Sequence, residues 1–230
     1  MHRELTLVFL PPGGGDTSGW GEHIAEFSLE YPTLAIDLPG AGTKRDQSPL
    51  DSLQECAAYV EGCLAASGAK DVALIGYSMG GLIAQLLAIR NPNQFKALVL
   101  VATAARIKIR QDILDALQDS PQEAKKLINQ FARSPNSQLG TDDSVPTKAM
   151  FAYLSATNGY DARGRVNEIT TPTVILHGDE DLTCPLKFGE WLNEQIPGSR
   201  LNVFSGAGHM LPQQFPGEMR QSIINFLDSL

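Results

Sequence analysis

The segment Gly76-Tyr77-Ser78-Met79-Gly80 is where residue type and spacing point most directly to chemistry. A serine hydroxyl is a weak nucleophile and becomes reactive when a neighbouring base takes its proton. Glycines two positions to either side allow a sharp turn that leaves the hydroxyl exposed. The string alone is a weak signal, so its neighbours decide its meaning. Val72-Ala73-Leu74-Ile75 reads as a buried strand running in, and Leu82 to Ala88 reads as a helix running out. A helix that starts beside the serine sets its free N–H groups and positive end next to developing negative charge. The competing reading is an ordinary Gly-rich turn between strand and helix.

A base must be found among four histidines. His2 is terminal, His23 falls in an early helical stretch, and His177 ends a strand. His209 sits in Ser205-Gly206-Ala207-Gly208-His209-Met210, after the last strand and before the last helix. That places it at the same sheet edge as Ser78, so His209 is the expected base. An acid must orient the imidazole. Asp179, Glu180 and Asp181 follow the strand ending at His177. Asp181 is preferred because it lies deeper in the loop, with Asp179 as the competitor. The order Ser, Asp, His is that of a Gly-x-Ser-x-Gly hydrolase.

Two backbone donors are needed for an oxyanion. Met79 N–H supplies one. The other is expected from Pro11-Pro12-Gly13-Gly14-Gly15-Asp16, where prolines cannot donate and glycines can. Gly14 is the first choice and Gly13 the second. A phosphate-binding loop is the alternative, but neither the Lys-Ser/Thr ending nor the Gly-x-Gly-x-x-Gly spacing is present.

The elements that must position these residues are short apolar runs alternating with helical patterns. The runs are Leu5–Leu10, Thr33–Leu38, Val72–Gly76, Ala97–Ala102, Thr173–His177 and Arg200–Phe204. Helices are expected at Trp20–Leu29, Leu50–Ser67, Met79–Arg90, Leu186–Gln195 and Phe215–Leu230, with Asp51 or Ser52 capping the second. Such alternation implies an α/β fold of three layers with a mostly parallel sheet of about six strands. Residues 104–171 break the rhythm. Helix-like segments at Ile109–Gln118, Pro121–Arg133 and Pro146–Thr157, with a loop from Asn136 to Ser144, suggest a small helical cap. The core is then 1–103 together with 172–230.

Bulk properties narrow the function classes. The 230 residues suit one domain that folds without disulfides or metals. A net charge of −8 argues against nucleic acid or an anionic membrane as partner. The 3 cysteines, Cys56, Cys63 and Cys184, form no Cys-x-x-Cys pair and read as small hydrophobes in a reducing compartment. The run Leu5–Leu10 is too short for a signal-peptide core, and no run approaches the roughly 20 apolar residues of a membrane span. A cytoplasmic location is expected, with no metal and no organic cofactor.

Taken together, these segments resemble the α/β-hydrolase superfamily over essentially the whole chain. Gly76-Tyr77-Ser78-Met79-Gly80-Gly81 is similar to the elbow of its small esterase, lactonase and C–C hydrolase branch. Asp37-Leu38-Pro39-Gly40-Ala41-Gly42 resembles the loop after that branch's second strand. His177-Gly178-Asp179-Glu180-Asp181 resembles the acid segment, and Gly206-Ala207-Gly208-His209 the base segment. Pro12-Gly13 stands where the family usually has His-Gly, and Ala41 where it usually has His. The family often opens with an extra antiparallel hairpin, whereas this sequence starts directly at the strand before the glycine loop, so a reduced sheet of about six strands is expected. The serine at 78 excludes the branches with an aspartate nucleophile. Leu82 stands where the menaquinone-pathway lyases place an arginine.

The resemblance implies hydrolysis of a small-molecule carboxylic ester through an acyl-enzyme, leaving open thioesters, lactones, C–C bonds and a carrier-bound methyl ester. A non-catalytic ligand receptor is the reading from a different class. In the cap, Ile107, Ile109, Ile113, Leu114, Leu117, Phe131, Met150, Phe151, Tyr153 and Leu154 either line an acyl pocket or pack the cap helices together. Arg106, Lys108, Arg110, Lys125, Lys126 and Arg133 either bind an anion or are solvated charges beside Asp112, Asp115, Asp119 and Glu123.

Overall fold

The apolar runs pair side by side. The strands are β1 (Thr6–Leu10), β2 (Thr33–Ala35), β3 (Val72–Tyr77), β4 (Ala97–Val101), β5 (Thr173–Gly178) and β6 (Arg200–Phe204). They form one sheet in the order β2-β1-β3-β4-β5-β6, parallel throughout. This computed structural model describes residues 4–132 and 145–230. Arg133 and the expected Asn136 to Ser144 loop lie outside the described residues, as does the side chain of Phe131.

Parallel neighbours need crossovers, and helices supply them. They are α1 (His23–Phe27), α2 (Leu53–Ser67), α3 (Met79–Arg90), α4 (Gln111–Asp119), α5 (Pro121–Ala132), α6 (Thr147–Asn158), α7 (Leu186–Gln195), α8 (Leu211–Gln214) and α9 (Pro216–Leu227). Strand alternation divides the core in two. Val8, Leu10, Leu74, Leu98, Leu100 and Ile175 face α2, α3 and α7 on one side. Leu7, Phe9, Ile75, Val99, Val101 and Leu176 face Trp20, Phe27 and α9 on the other. Each fully buried aliphatic side chain contributes about 1.5–3 kcal/mol by leaving water. Among the described residues, no helix is long and apolar enough to cross a membrane.

Local chemistry sets the element ends. Ser52 caps α2 by accepting from Glu55 N–H at 3.2 Å, while the Glu55 carboxylate accepts from Asp51 N–H at 2.9 Å. Gly68, at φ 69°, closes the helix. The helix expected over Trp20–Leu29 is instead a 3-10 turn at Thr17–Trp20 followed by α1, because Gly21 breaks it at φ 56°. The one expected over Phe215–Leu230 forms as α9, one residue shorter at its start and ending at Leu227, and the short α8 precedes it. Pro216 opens α9, and the residue before a proline avoids helical geometry, so Phe215 separates α8 from α9. Strand β2 stops at Ala35, short of Leu38. All three cysteines are free: Cys56 and Cys184 are buried and Cys63 half-buried. Burial pushes the Cys56 thiol up to about 12.

The chain leaves β1 for β2 on one side and then crosses to β3 on the other. Ligands bind at such a switch, beyond the C-terminal strand ends. Here α3 comes very close to β1: a Cβ added at Gly80 would lie 2.4 Å from the Leu10 carbonyl oxygen. Only a residue without Cβ fits. Gly80→Ala should therefore lower unfolding free energy by about 2–3 kcal/mol in a urea titration. A stability equal to wild type would contradict this packing.

Candidate active site

Ser78 follows β3 directly and is the N-cap of α3. Its backbone sits at φ 53° and ψ −114°, where non-glycine residues are rare. The turn is possible because of what flanks it. A Cβ at Gly76 would lie 2.4 Å from the Gly80 carbonyl oxygen. Three hydrogen bonds then fix the turn: Ser78 N–H donates to Val101 O at 2.9 Å, Gly81 N–H donates to Ser78 O at 2.9 Å, and Thr103 Oγ1 donates to Ser78 O at 2.7 Å. Thr103 follows Ala102, itself at φ 45°, where the chain leaves β4.

His209 and Asp181 arrive on the loops after β6 and β5. His209 Nε2 lies 3.0 Å from Ser78 Oγ, and His209 Nδ1 lies 2.8 Å from Asp181 Oδ2. The other Asp181 oxygen accepts from Thr183 N–H at 2.8 Å and Cys184 N–H at 2.7 Å. All three side chains are nearly enclosed: Ser78 is 8% exposed, His209 7% and Asp181 3%. As a carboxylate Asp181 only accepts, so Nδ1 carries the hydrogen and Nε2 offers its lone pair to the serine hydroxyl.

Asp179, the competing acid, does not reach the imidazole. It is exposed, and its carboxylate accepts from Gly206 N–H at 2.7 Å and Ser205 Oγ at 3.1 Å. It thereby ties the acid loop to the base loop. Tyr77 was missed as a contributor although it lies inside the serine motif. Its hydroxyl donates to the His209 carbonyl at 2.9 Å, and burial pushes that phenol well up. Gln214 accepts from Gly208 N–H at 2.8 Å and holds the same loop. No local pattern marks the roles of Thr103 and Asp179, whose partners lie 25 to 27 positions away, whereas Gln214 reaches only six residues back.

A cavity of about 320 Å³ opens onto Ser78, bordered by Gly13, Gly14 and Met79. Gly15 N–H donates to Pro12 O at 3.0 Å, whereas the Gly13 and Gly14 amides have no protein acceptor among the described residues. Met79 opens α3, so its N–H has no intrahelical acceptor. Ala41 packs behind Gly15 rather than on the cavity wall. Of the apolar residues expected to line a pocket, Ile107, Ile109, Met150 and Leu154 do so, joined by Ile128 and Val145. Ile113 and Leu117 pack among the helices between β4 and β5, with Phe151 against them; Leu114 is buried off the cavity wall. Tyr153 is buried, and its hydroxyl donates to Pro39 O. Of the basic residues, Arg110 pairs with Asp112, Lys126 with Glu123 at 3.3 Å, and Arg106 with Asp161 at 3.8 Å.

His177 is fully buried behind the acid loop. Its Nε2 is hydrogen-bonded to the Cys184 carbonyl and lies 3.8 Å from Asp181 Oδ2. His23 Nε2 meets Pro212 O at 2.8 Å and links α1 to α8. Burial holds both imidazoles below the ordinary 6.5.

Comparison with known proteins follows the same lines. The model of the alpha/beta hydrolase family matches residues 7–221. A pimeloyl-[acyl-carrier protein] methyl ester esterase from Nitrosomonas europaea is 26% identical, over 94% of this chain and 96% of its own. One of that description from Neisseria meningitidis serogroup B is 28% identical, over 83% of each chain. Among solved structures, an esterase from Exiguobacterium antarcticum has the same fold. It superposes with a TM-score of 0.86 at 18% identity, covering 97% of this chain and 92% of that one.

The two depressed histidines give a pH prediction. Below about pH 6.5 the unfolded chain takes up protons that the native chain refuses, so stability is full above that pH and falls as pH drops towards 5. The slope is at most about 1.4 kcal/mol per pH unit for each histidine. The His23→Gln/His177→Gln variant should show a shallower slope in urea titrations. A native stability independent of pH between 7 and 5 would contradict the burial of neutral imidazoles.

Proposed function

The chain belongs to the alpha/beta hydrolase family, and on that premise we propose that it is a serine hydrolase cleaving a carboxylic ester of an aliphatic acid through an acyl-enzyme. One observation carries the proposal: the continuous hydrogen-bonded chain from Asp181 through His209 to Ser78. Ser78 Oγ attacks the ester carbonyl while its proton passes to His209 Nε2. Asp181 holds the imidazole in the required tautomer and stabilises the imidazolium that forms. The oxyanion takes N–H groups from Met79 and from Gly14, with Gly13 as the neighbouring donor. The imidazolium then protonates the departing alkoxide. In the second half, His209 takes a proton from water, the hydroxide attacks the acyl carbonyl, and Ser78 recovers its proton from His209.

The cavity wall of Ile107, Ile109, Ile128, Val145, Met150 and Leu154 supports an aliphatic acyl group. The relatives named for pimeloyl methyl ester hydrolysis support the same chemical class. The partner in this reading is a small-molecule acyl ester.

The test is steady-state and burst kinetics with p-nitrophenyl butyrate. Wild type should release a burst of one p-nitrophenol per chain. Ser78→Ala should lose turnover by roughly 100,000-fold, because the remaining groups only bind and polarise the ester. Asp181→Asn should lose roughly 10,000-fold, since the amide turns the imidazole to the wrong tautomer. Turnover within tenfold of wild type in either variant would overturn the assignment.

A further inference from the structure

Three hollows on the C-terminal side of the sheet meet at two residues, Ile107 and Thr183. The first is the cavity over Ser78. The second is a slot of about 200 Å³ along Ile109, Ile113, Ile128, Leu154 and Leu182. The third, of about 490 Å³, has an apolar floor that includes Ala104, Ala105, Phe188 and Trp191. Its rim is Arg106, Lys108, Arg163 and Lys187, and no carboxylate among the described residues lines it. The whole chain carries a net charge of −8. A rim of four cations is therefore against the general balance.

The four cations are not equivalent. Asp161 pairs with Arg163 at 2.6 Å and sits 3.8 Å from Arg106. Lys108 and Lys187 have no ion pair among the described residues, and Lys187 Nζ lies 5.5 Å from the Phe188 ring centroid. Lys108 also lines the slot, so it stands where the apolar path ends and the cationic hollow begins. Thr183 forms part of the partition, and its N–H holds Asp181.

We infer that the third hollow is an anion subsite of the substrate: a chain whose ester lies at Ser78 follows the apolar slot and delivers a carboxylate or phosphate at its far end to Lys108 and Lys187. This rests on the ester-hydrolase reading. The chemistry is complementary at each stage. The aliphatic stem leaves water on the isoleucine and leucine walls. The end group gains charge-assisted hydrogen bonds from two ammonium groups, one of them beside the Phe188 ring.

Binding to the Ser78→Ala variant tests this without turnover. Calorimetry compares methyl octanoate, as neutral reference, with monomethyl suberate and with the same chain ended by a phosphate. The anionic ligands should bind about tenfold tighter, and rising salt should narrow the gap. The ratio of affinities should fall to about one when Lys108→Gln and Lys187→Gln are added; both side chains are exposed, so the fold does not depend on them. A preference for only one end group supports the subsite and identifies its anion. A ratio of one with both lysines present, or an unchanged ratio in the glutamine variant, overturns it. Failure of the esterase reading would show separately, as wild type that does not hydrolyse methyl octanoate.

Discussion

Ser78 is held in a backbone conformation that costs an L-residue about 1–3 kcal/mol, and much of the surrounding structure exists to keep it there. Gly76 and Gly80 cannot carry a Cβ in this turn, since one would meet the Gly80 carbonyl and the other the Leu10 carbonyl. Val101 and Thr103 then bind the Ser78 amide and carbonyl from the next strand. The constraint couples sheet and site: β1, β3 and β4 must be in register before the serine can point into the cavity. Buried β-strands and an α3 buried almost all round supply the packing that offsets the strain.

The base and acid face a different problem, because both ride on loops. A loop leaves a side chain free unless something fixes the backbone. Asp179 bridges to Ser205 and Gly206, Tyr77 binds the His209 carbonyl, and Gln214 binds Gly208. On the acid side, Thr183 and Cys184 amides hold Asp181, while His177 holds the Cys184 carbonyl from behind. The imidazole is therefore placed by contacts that do not touch the reacting atoms.

Much of this was legible in the sequence, for physical reasons. Buried parallel strands are apolar on both faces, so the six runs stand out, and glycine spacing marks the turn around Ser78. The loop positions of Asp181 and His209 follow from the strand order. What stayed hidden depends on three-dimensional neighbours. The break at Gly21 is a local backbone effect that an apolar pattern overrides on paper but not in the chain. Tyr153 looked like a pocket residue, yet its hydroxyl finds Pro39 across 114 positions, a partner that spacing cannot reveal. The same is true of Thr103 and Asp179.

The most direct test of the account is covalent labelling by a fluorophosphonate, followed by peptide mapping, on wild type and on His209→Ala. Such a probe reports an activated serine whatever the natural ester is. The account predicts one label per chain, at Ser78, that disappears when the imidazole is removed. A folded wild type that takes no label, or a label on Ser78 that persists without His209, would contradict it.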